Sequence, residues 1–365
     1  MEKILILTSE LSLKNGWAKM SYYIIHGLAK EYDITVITEK GMDNSYVDGV
    51  LILPILNRFD EDWRKFPFAI LDTLKIKSRL NVKSYNVVLS MIEPYIPLAT
   101  MIGYHSRIMA MLVGTYSCFP FSKGINRKLN KKVLPYVERF FAISRYTAKK
   151  FLENNKYTDR VDVLSLGVDI DKYACNDIST KEDIFIFVGA VKPRKGLIYA
   201  LKAFKKVYQK YPHIKFYIIG KCEESAYTKA IKNYVNMEGL NSAVIFTGPL
   251  NDQKLLKYMS KAKCHVLPSV NEGDAFEGFG LVHLEANACG IPTIGSLECG
   301  NEDVIIDGVT GFLCQQRDIG QLIECMKLII EDRKKYLWMC KNAREHAMKM
   351  SWDKTIKGIV SRIEE

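Results

Sequence analysis

The chain has 365 residues, of which 48% are hydrophobic and 25% charged. This places it among ordinary soluble proteins, above the size at which one core usually divides in two. No apolar stretch approaches membrane-spanning length, and Met1-Glu2-Lys3 leads straight into an apolar run, Ile4 to Leu7, far too short for the core of a secretory leader. A cytoplasmic chain is expected, peripheral to the inner membrane face at most. The net charge of +11 attracts anions without choosing among nucleic acid, anionic lipid and phosphorylated small molecules. The nine cysteines form no C-x-x-C pair and no cluster with histidine at metal-ligand spacing, so reduced thiols and no metal site are expected.

In chain order, Ile4 to Leu7 and Ile34 to Thr38 are β-rich runs. Between them Trp17, Met20, Tyr23, Ile24, Gly27 and Leu28 recur at helical intervals, a βαβ opening. The pattern repeats at Val87 to Ser90, Met109 to Val113 and Phe140 to Ile143, which implies a parallel sheet. Residues 174 to 183 turn polar and mark a linker before the pattern restarts at Ile184 to Val188. Further strands are expected at Lys215 to Ile219, Val244 to Thr247, His265 to Leu267 and Pro292 to Ile294, with helices between them. The last stretch, from Ser351, reads as a helix with Ile356, Ile359, Val360 and Ile363 on one face. The expected organisation is α/β: a Rossmann-like domain over residues 1–173, on which residues 351–365 pack back, and a second over residues 174–350.

The stretch from Glu277 to Pro292 carries the most chemistry. Glu277 and Glu285 bracket seven residues that begin Gly278-Phe279-Gly280-Leu281. The two glycines leave the backbone bare, and a helix starting near Gly280 would aim N–H groups and its positive dipole end at an anion such as a diphosphate. Glu285, about a turn and a half inside that helix, could accept hydrogen bonds from vicinal hydroxyls, as an acidic residue does for ribose in dinucleotide folds. Glu277, on the loop before it, could do the same for a hexose. Lys192, Arg194 and Lys195 follow a strand, lie beside Gly189 and Gly196, and open the next helix. A lone pair of glutamates or a lone basic loop is most often solvated surface; it is the glycine-rich setting that favours a site.

These residues resemble the donor-site signature of the retaining GT-B glycosyltransferases of family 4. Further landmarks follow in order: Asn15-Gly16-Trp17-Ala18, Leu166-Gly167-Val168-Asp169, Val188-Gly189 through Pro193-Arg194-Lys195-Gly196, Gly248-Pro249-Leu250, Leu267-Pro268-Ser269, and Asp307 to Leu313. The resemblance implies two Rossmann-like domains facing a central cleft, with a C-terminal helix crossing back. It also implies transfer of a hexose from a UDP- or GDP-sugar to a glycan, lipid or small-molecule hydroxyl, without metal or prosthetic group and with the anomeric configuration retained. Glu285 would bind ribose and Glu277 the sugar, with Gly278, Phe279, Gly280 and Leu281 giving backbone amides. Lys195 and Arg194 would neutralise the phosphates, Gly16 would approach them, and Gly248 and Leu250 would lie at the base. Two positions depart from the pattern. Ala190 stands where members often carry an arginine as the second cation on the diphosphate, and Val113 where many members place a histidine near the sugar.

Residues 122 to 160 hold eleven basic side chains against Glu138, Glu153 and Asp159. A solvated face is the usual reading; the sharper one is a contact with an anionic membrane or lipid acceptor, with Phe140 and Phe141 offering apolar area. His283 is expected to pack rather than react, and Trp352 to anchor the final helix. The readings that compete are a sugar-nucleotide epimerase on the same fold and a homologue that binds donor without transferring it. A basic nucleic-acid-binding protein shows no recognisable reader module and would have no use for the two glutamates, so no nucleic acid is expected.

Overall fold

A computed structural model describes residues 1–57, 66–118, 131–173 and 181–365. The chain divides into two compact units, Met1–Leu166 with Trp352–Glu365, and Gly167–Ser351. The polar linker run lies outside the described residues over 174–180.

The first unit is a sheet of seven parallel strands, β1 (Lys3–Leu7), β2 (Asp33–Glu39), β3 (Leu51–Leu56), β4 (Val87–Ser90), β5 (Arg107–Leu112), β6 (Arg139–Ala142) and β7 (Val161–Val163), in the order β3-β2-β1-β4-β5-β6-β7. Among the described residues its helices include α1 (Gly16–Leu28), α2 (Phe66–Arg79), α3 (Ile96–Ile102) and α4 (Arg145–Leu152). The inner strands are buried on both faces, which is why they read as unbroken apolar runs. Phe140 and Phe141 are therefore fully buried in β6 and offer no apolar area to a membrane, correcting the sequence reading. Of the basic segment, Lys123, Arg127 and Lys128 lie outside the described residues, and several others serve the fold. Lys131 reaches the Asn154 carbonyl, Lys150 pairs with Glu153, and Arg160 donates to Pro135 and Val137.

The second unit has six parallel strands in the order β10-β9-β8-β11-β12-β13: β8 (Ile184–Val188), β9 (Lys215–Ile219), β10 (Val244–Gly248), β11 (Cys264–Val266), β12 (Thr293–Ser296) and β13 (Gly311–Cys314). Its helices are α5 (Leu197–Lys210), α6 (Ala226–Met237), α7 (Asp252–Lys261), α8 (Leu281–Ala288), α9 (Ile319–Glu331) and α10 (Arg333–Lys349). One core, centred on Phe185, Phe187, Phe204 and Phe216, fills the space between sheet and helices.

The final helix, α11 (Trp352–Ile363), returns to the first unit. Trp352, 6% exposed, stacks on Tyr23 of α1 with ring centroids 5.0 Å apart. Thr355 donates to the Ser165 carbonyl, and Arg107 donates to the carbonyls of Arg362 and Ile363. Ile356, Ile359 and Ile363 form the buried face as expected, while Val360 is only half-buried.

Candidate functional site

In each sheet the chain first builds strands to one side and then returns to the other, so the crevice favoured for ligands lies at the C-terminal ends of β1 and β4 in one unit and of β8 and β11 in the other. Nearly all the residues singled out from sequence leave the second of these places.

After β8 a short turn, Pro193–Lys195, leads to Gly196 at φ +67. A Cβ on Gly196 would lie 1.8 Å from the Pro268 carbonyl oxygen, so only glycine lets this turn press against the loop after β11. The Val270 N–H donates to the Arg194 carbonyl at 2.8 Å across the same contact. Arg194 and Lys195 are thereby set beside Glu277. The Lys195 ammonium donates to Glu277 Oε2, Arg194 Nη1 stands 3.3 Å from that atom, and Ser269 Oγ donates to it at 3.2 Å. Three donors converge on one carboxylate oxygen of a residue only 9% exposed. Burial alone would raise the carboxyl, but the charges of Lys195 and Arg194 and the Lys195 hydrogen bond outweigh it, and its pKa falls to about 2. Burial also pulls Lys195 below the ordinary ammonium value, Glu277 opposing this and Arg194 adding to it.

The loop from Glu277 ends at Gly280, whose φ of +86 places it as the residue before α8. A side chain there would meet Asn301 Oδ1 at 2.6 Å and His283 Cδ2 at 2.9 Å. Helices α6, α7, α9 and α10 are capped by the side chains of Ser225, Asn251, Asp318 and Asp332. By contrast α5 and α8, the two beside Glu277 and Lys195, start at glycine without a side-chain cap. In α5 the Ile198 N–H donates to the Tyr227 hydroxyl at 3.3 Å, while the start of α8, with no side chain at its cap, keeps its positive dipole end for a ligand.

Phe279 is buried and Leu281 half-buried, while Gly278 lies between them and Glu277. Glu285, 5% exposed in α8, shares a hydrogen bond with the Tyr173 hydroxyl. Gly248 and Leu250 sit at the C-terminal end of β10, on the same edge of the sheet. Gly16 opens α1 in the first unit, where Asn15 caps the helix by accepting from Ala18 N–H. His283 is fully buried and meets His265 with their Nδ1 atoms 3.2 Å apart, a packing role as expected.

Sequence reasoning missed three residues. Ser269 belonged to a recognised landmark but carried no assigned role. Tyr173 gave no local signal, because its partner is distant in sequence. Glu93, just past β4 in the first unit, is 1% exposed and accepts from Val113 N–H at 2.7 Å and Ser117 Oγ at 2.5 Å. Burial pushes its carboxyl up to about 7 even though these hydrogen bonds oppose the shift. It holds the backbone of Val113, the position where a histidine is common.

Among the described residues no group of three or more His, Cys, Asp or Glu could hold a metal ion, and no helix is long and apolar enough to cross a membrane.

Residues 172–346 match the family model of glycosyl transferases group 1. The chain is 26% identical over 243 residues to D-inositol 3-phosphate glycosyltransferase of Mycolicibacterium smegmatis, covering 63% of this chain and 54% of that protein. It is 27% identical over 231 residues to the uncharacterized glycosyltransferase MJ1178 of Methanocaldococcus jannaschii, covering 62% and 60% respectively. The chain thus spans little more than half the length of these curated relatives. Among solved structures, HepE of Anabaena in complex with UDP and glucose aligns over 100% of both chains with a TM-score of 0.80 at 17% identity. Sucrose-phosphate synthase of Thermosynechococcus elongatus aligns over 100% of this chain and 98% of its own, also with a TM-score of 0.80, at 18% identity. The two parallel-sheet units and the returning helix are those of the GT-B fold, and the segment that carries nearly all of the candidate site matches the group 1 glycosyl transferases.

Proposed function

We propose that the protein is a nucleotide-sugar-dependent glycosyltransferase of the retaining, metal-independent kind, acting on a hexose donor. The observation that carries this reading is the convergence of Lys195, Arg194 and Ser269 on Oε2 of Glu277, beside two helices that begin at uncapped glycines. The arrangement suits a donor in parts. The starts of α5 and α8, with Lys195 and Arg194, receive the diphosphate; Glu277 Oε1, which takes none of the three bonds, receives a sugar hydroxyl; Glu285 receives the ribose. Gly248 and Leu250 receive the base through backbone atoms.

Chemically, the anomeric carbon–oxygen bond to the diphosphate breaks and charge grows on the leaving phosphate. Lys195 and the helix N–H groups stabilise that charge, and the departing phosphate oxygen accepts the proton of the acceptor hydroxyl attacking from the same face. No protein nucleophile is required. Losing one such cation or donor costs about 3–4 kcal/mol of barrier, a factor of several hundred. The acceptor is a hydroxyl of a glycan, a lipid-linked carrier or a small molecule, and the basic character of the chain suits an anionic membrane surface as the place of encounter.

A thermal-shift panel of UDP- and GDP-hexoses tests donor binding: a donor at a hundred times its dissociation constant should stabilise the fold by about 2.7 kcal/mol. Lys195→Ala and Glu285→Ala should each cut transfer about a hundredfold or more at saturating donor without unfolding the protein. Near-normal turnover in either variant refutes the assignments. Donor binding without any turnover in the unaltered protein identifies a binding-only homologue.

A further inference from the structure

Tyr173 ends a segment that is fastened firmly to the second unit. The Val168 N–H donates to the Met350 carbonyl at 2.9 Å, and Lys172 pairs with Asp252 at the start of α7. The N–H groups of Lys172 and Tyr173 both donate to Asp169, to its Oδ1 and its carbonyl respectively. Tyr173 itself is 3% exposed, and its hydroxyl is hydrogen-bonded to the Glu285 carboxylate. An ionised carboxylate only accepts, so the phenol is the donor.

A glutamate side chain loses rotamer freedom when it is fixed in one place. Glu285 has already been fixed before any ligand arrives, because the phenol comes from a segment anchored independently of α8. A carboxylate offers about four acceptor directions. The phenol fills one of them.

We propose that Tyr173 is a positioning residue of the nucleotide site: its hydroxyl holds the Glu285 carboxylate in the orientation that receives the ribose hydroxyls of a nucleoside diphosphate. It thereby sharpens the preference for ribose over a sugar lacking those hydroxyls. The inference rests on the ribose role proposed above for Glu285. The phenol remains a donor throughout the neutral range, since burial first and the charge of Glu285 second hold its pKa well above the ordinary tyrosine value.

The test is calorimetric titration of the unaltered protein, Tyr173→Phe and Glu285→Gln with UDP, GDP and ADP and with their 2′,3′-dideoxy counterparts. The unaltered protein should bind at least one diphosphate and prefer the ribose form. Tyr173→Phe should weaken the ribose form by about three- to tenfold, the worth of one hydrogen bond. It should leave the dideoxy form unchanged, which also reports that the pocket is intact. Glu285→Gln should bring the preference close to one. An unchanged or increased ribose preference in Tyr173→Phe, in a protein where Glu285→Gln abolishes it, overturns the role of Tyr173 alone. A preference that survives in Glu285→Gln, or an unaltered protein that binds none of the three diphosphates, overturns the reading of Glu285 and the Tyr173 proposal with it.

Discussion

Two buried glutamates show how surroundings decide what one residue type does. Glu277 and Glu93 are both nearly sealed from water, yet the first is held near 2 and the second raised to about 7. Two cations face Glu277, whereas Glu93 meets a hydroxyl and peptide N–H groups, which bond a carboxylate but bring no full charge to balance it. The signs of the consequences differ accordingly. Glu277, depressed below its unfolded value of 4.5, contributes stability that is present above that pH and lost as pH falls toward 2. Glu93, raised above the same value, contributes stability that is full below pH 4.5 and lost as pH rises through about 7. Glu93→Gln keeps an acceptor for Val113 and Ser117 without a charge. Its melting temperature should fall less between pH 5 and pH 8 than that of the unaltered protein, and parallel curves in scanning calorimetry would contradict this.

At the level of elements, the strands and helices that frame the site were largely legible. β8, β9 and β11 announce themselves as apolar runs because a parallel sheet is buried on both faces, and Gly196 and Gly280 stand where the helices after them begin. Two strands of the first unit were not: β3 carries a proline and exposed positions, β7 has three residues with none buried, and neither shows a periodic pattern. The pairing of Lys195 with Glu277 was also invisible, because it depends on the turn at Gly196 folding onto the Pro268 carbonyl, a contact between distant segments. The sequence suggested a ligand for each residue singly; the structure joins them to one another first. Gly196→Ala should therefore cost about 1–3 kcal/mol from the left-handed backbone alone. The clash with Pro268 adds to that and moves Lys195 away from Glu277. The expected outcome is a lowered melting temperature together with lost nucleotide binding, and a variant that keeps both would show that the turn has another way to pack.

For the whole molecule, the telling feature is that the first unit is made from two separate stretches of chain and the second from one. Truncation after Ser351 removes the stack of Trp352 on Tyr23 and the backbone acceptors of Arg107, all of them within the first unit. Hydrogen exchange on the truncated chain should show α1 and β5 losing protection while β8 to β11 keep theirs; uniform loss across both units would mean that the two do not fold independently. The same connectivity imposes an order on biosynthesis. As the polypeptide leaves the ribosome, the segment around β8 to β13 has all its parts in hand before α11 has been translated. The earlier segment must wait, with the α1 surface that Trp352 and Ile356 will cover still wet, so the half synthesised first is the half completed last.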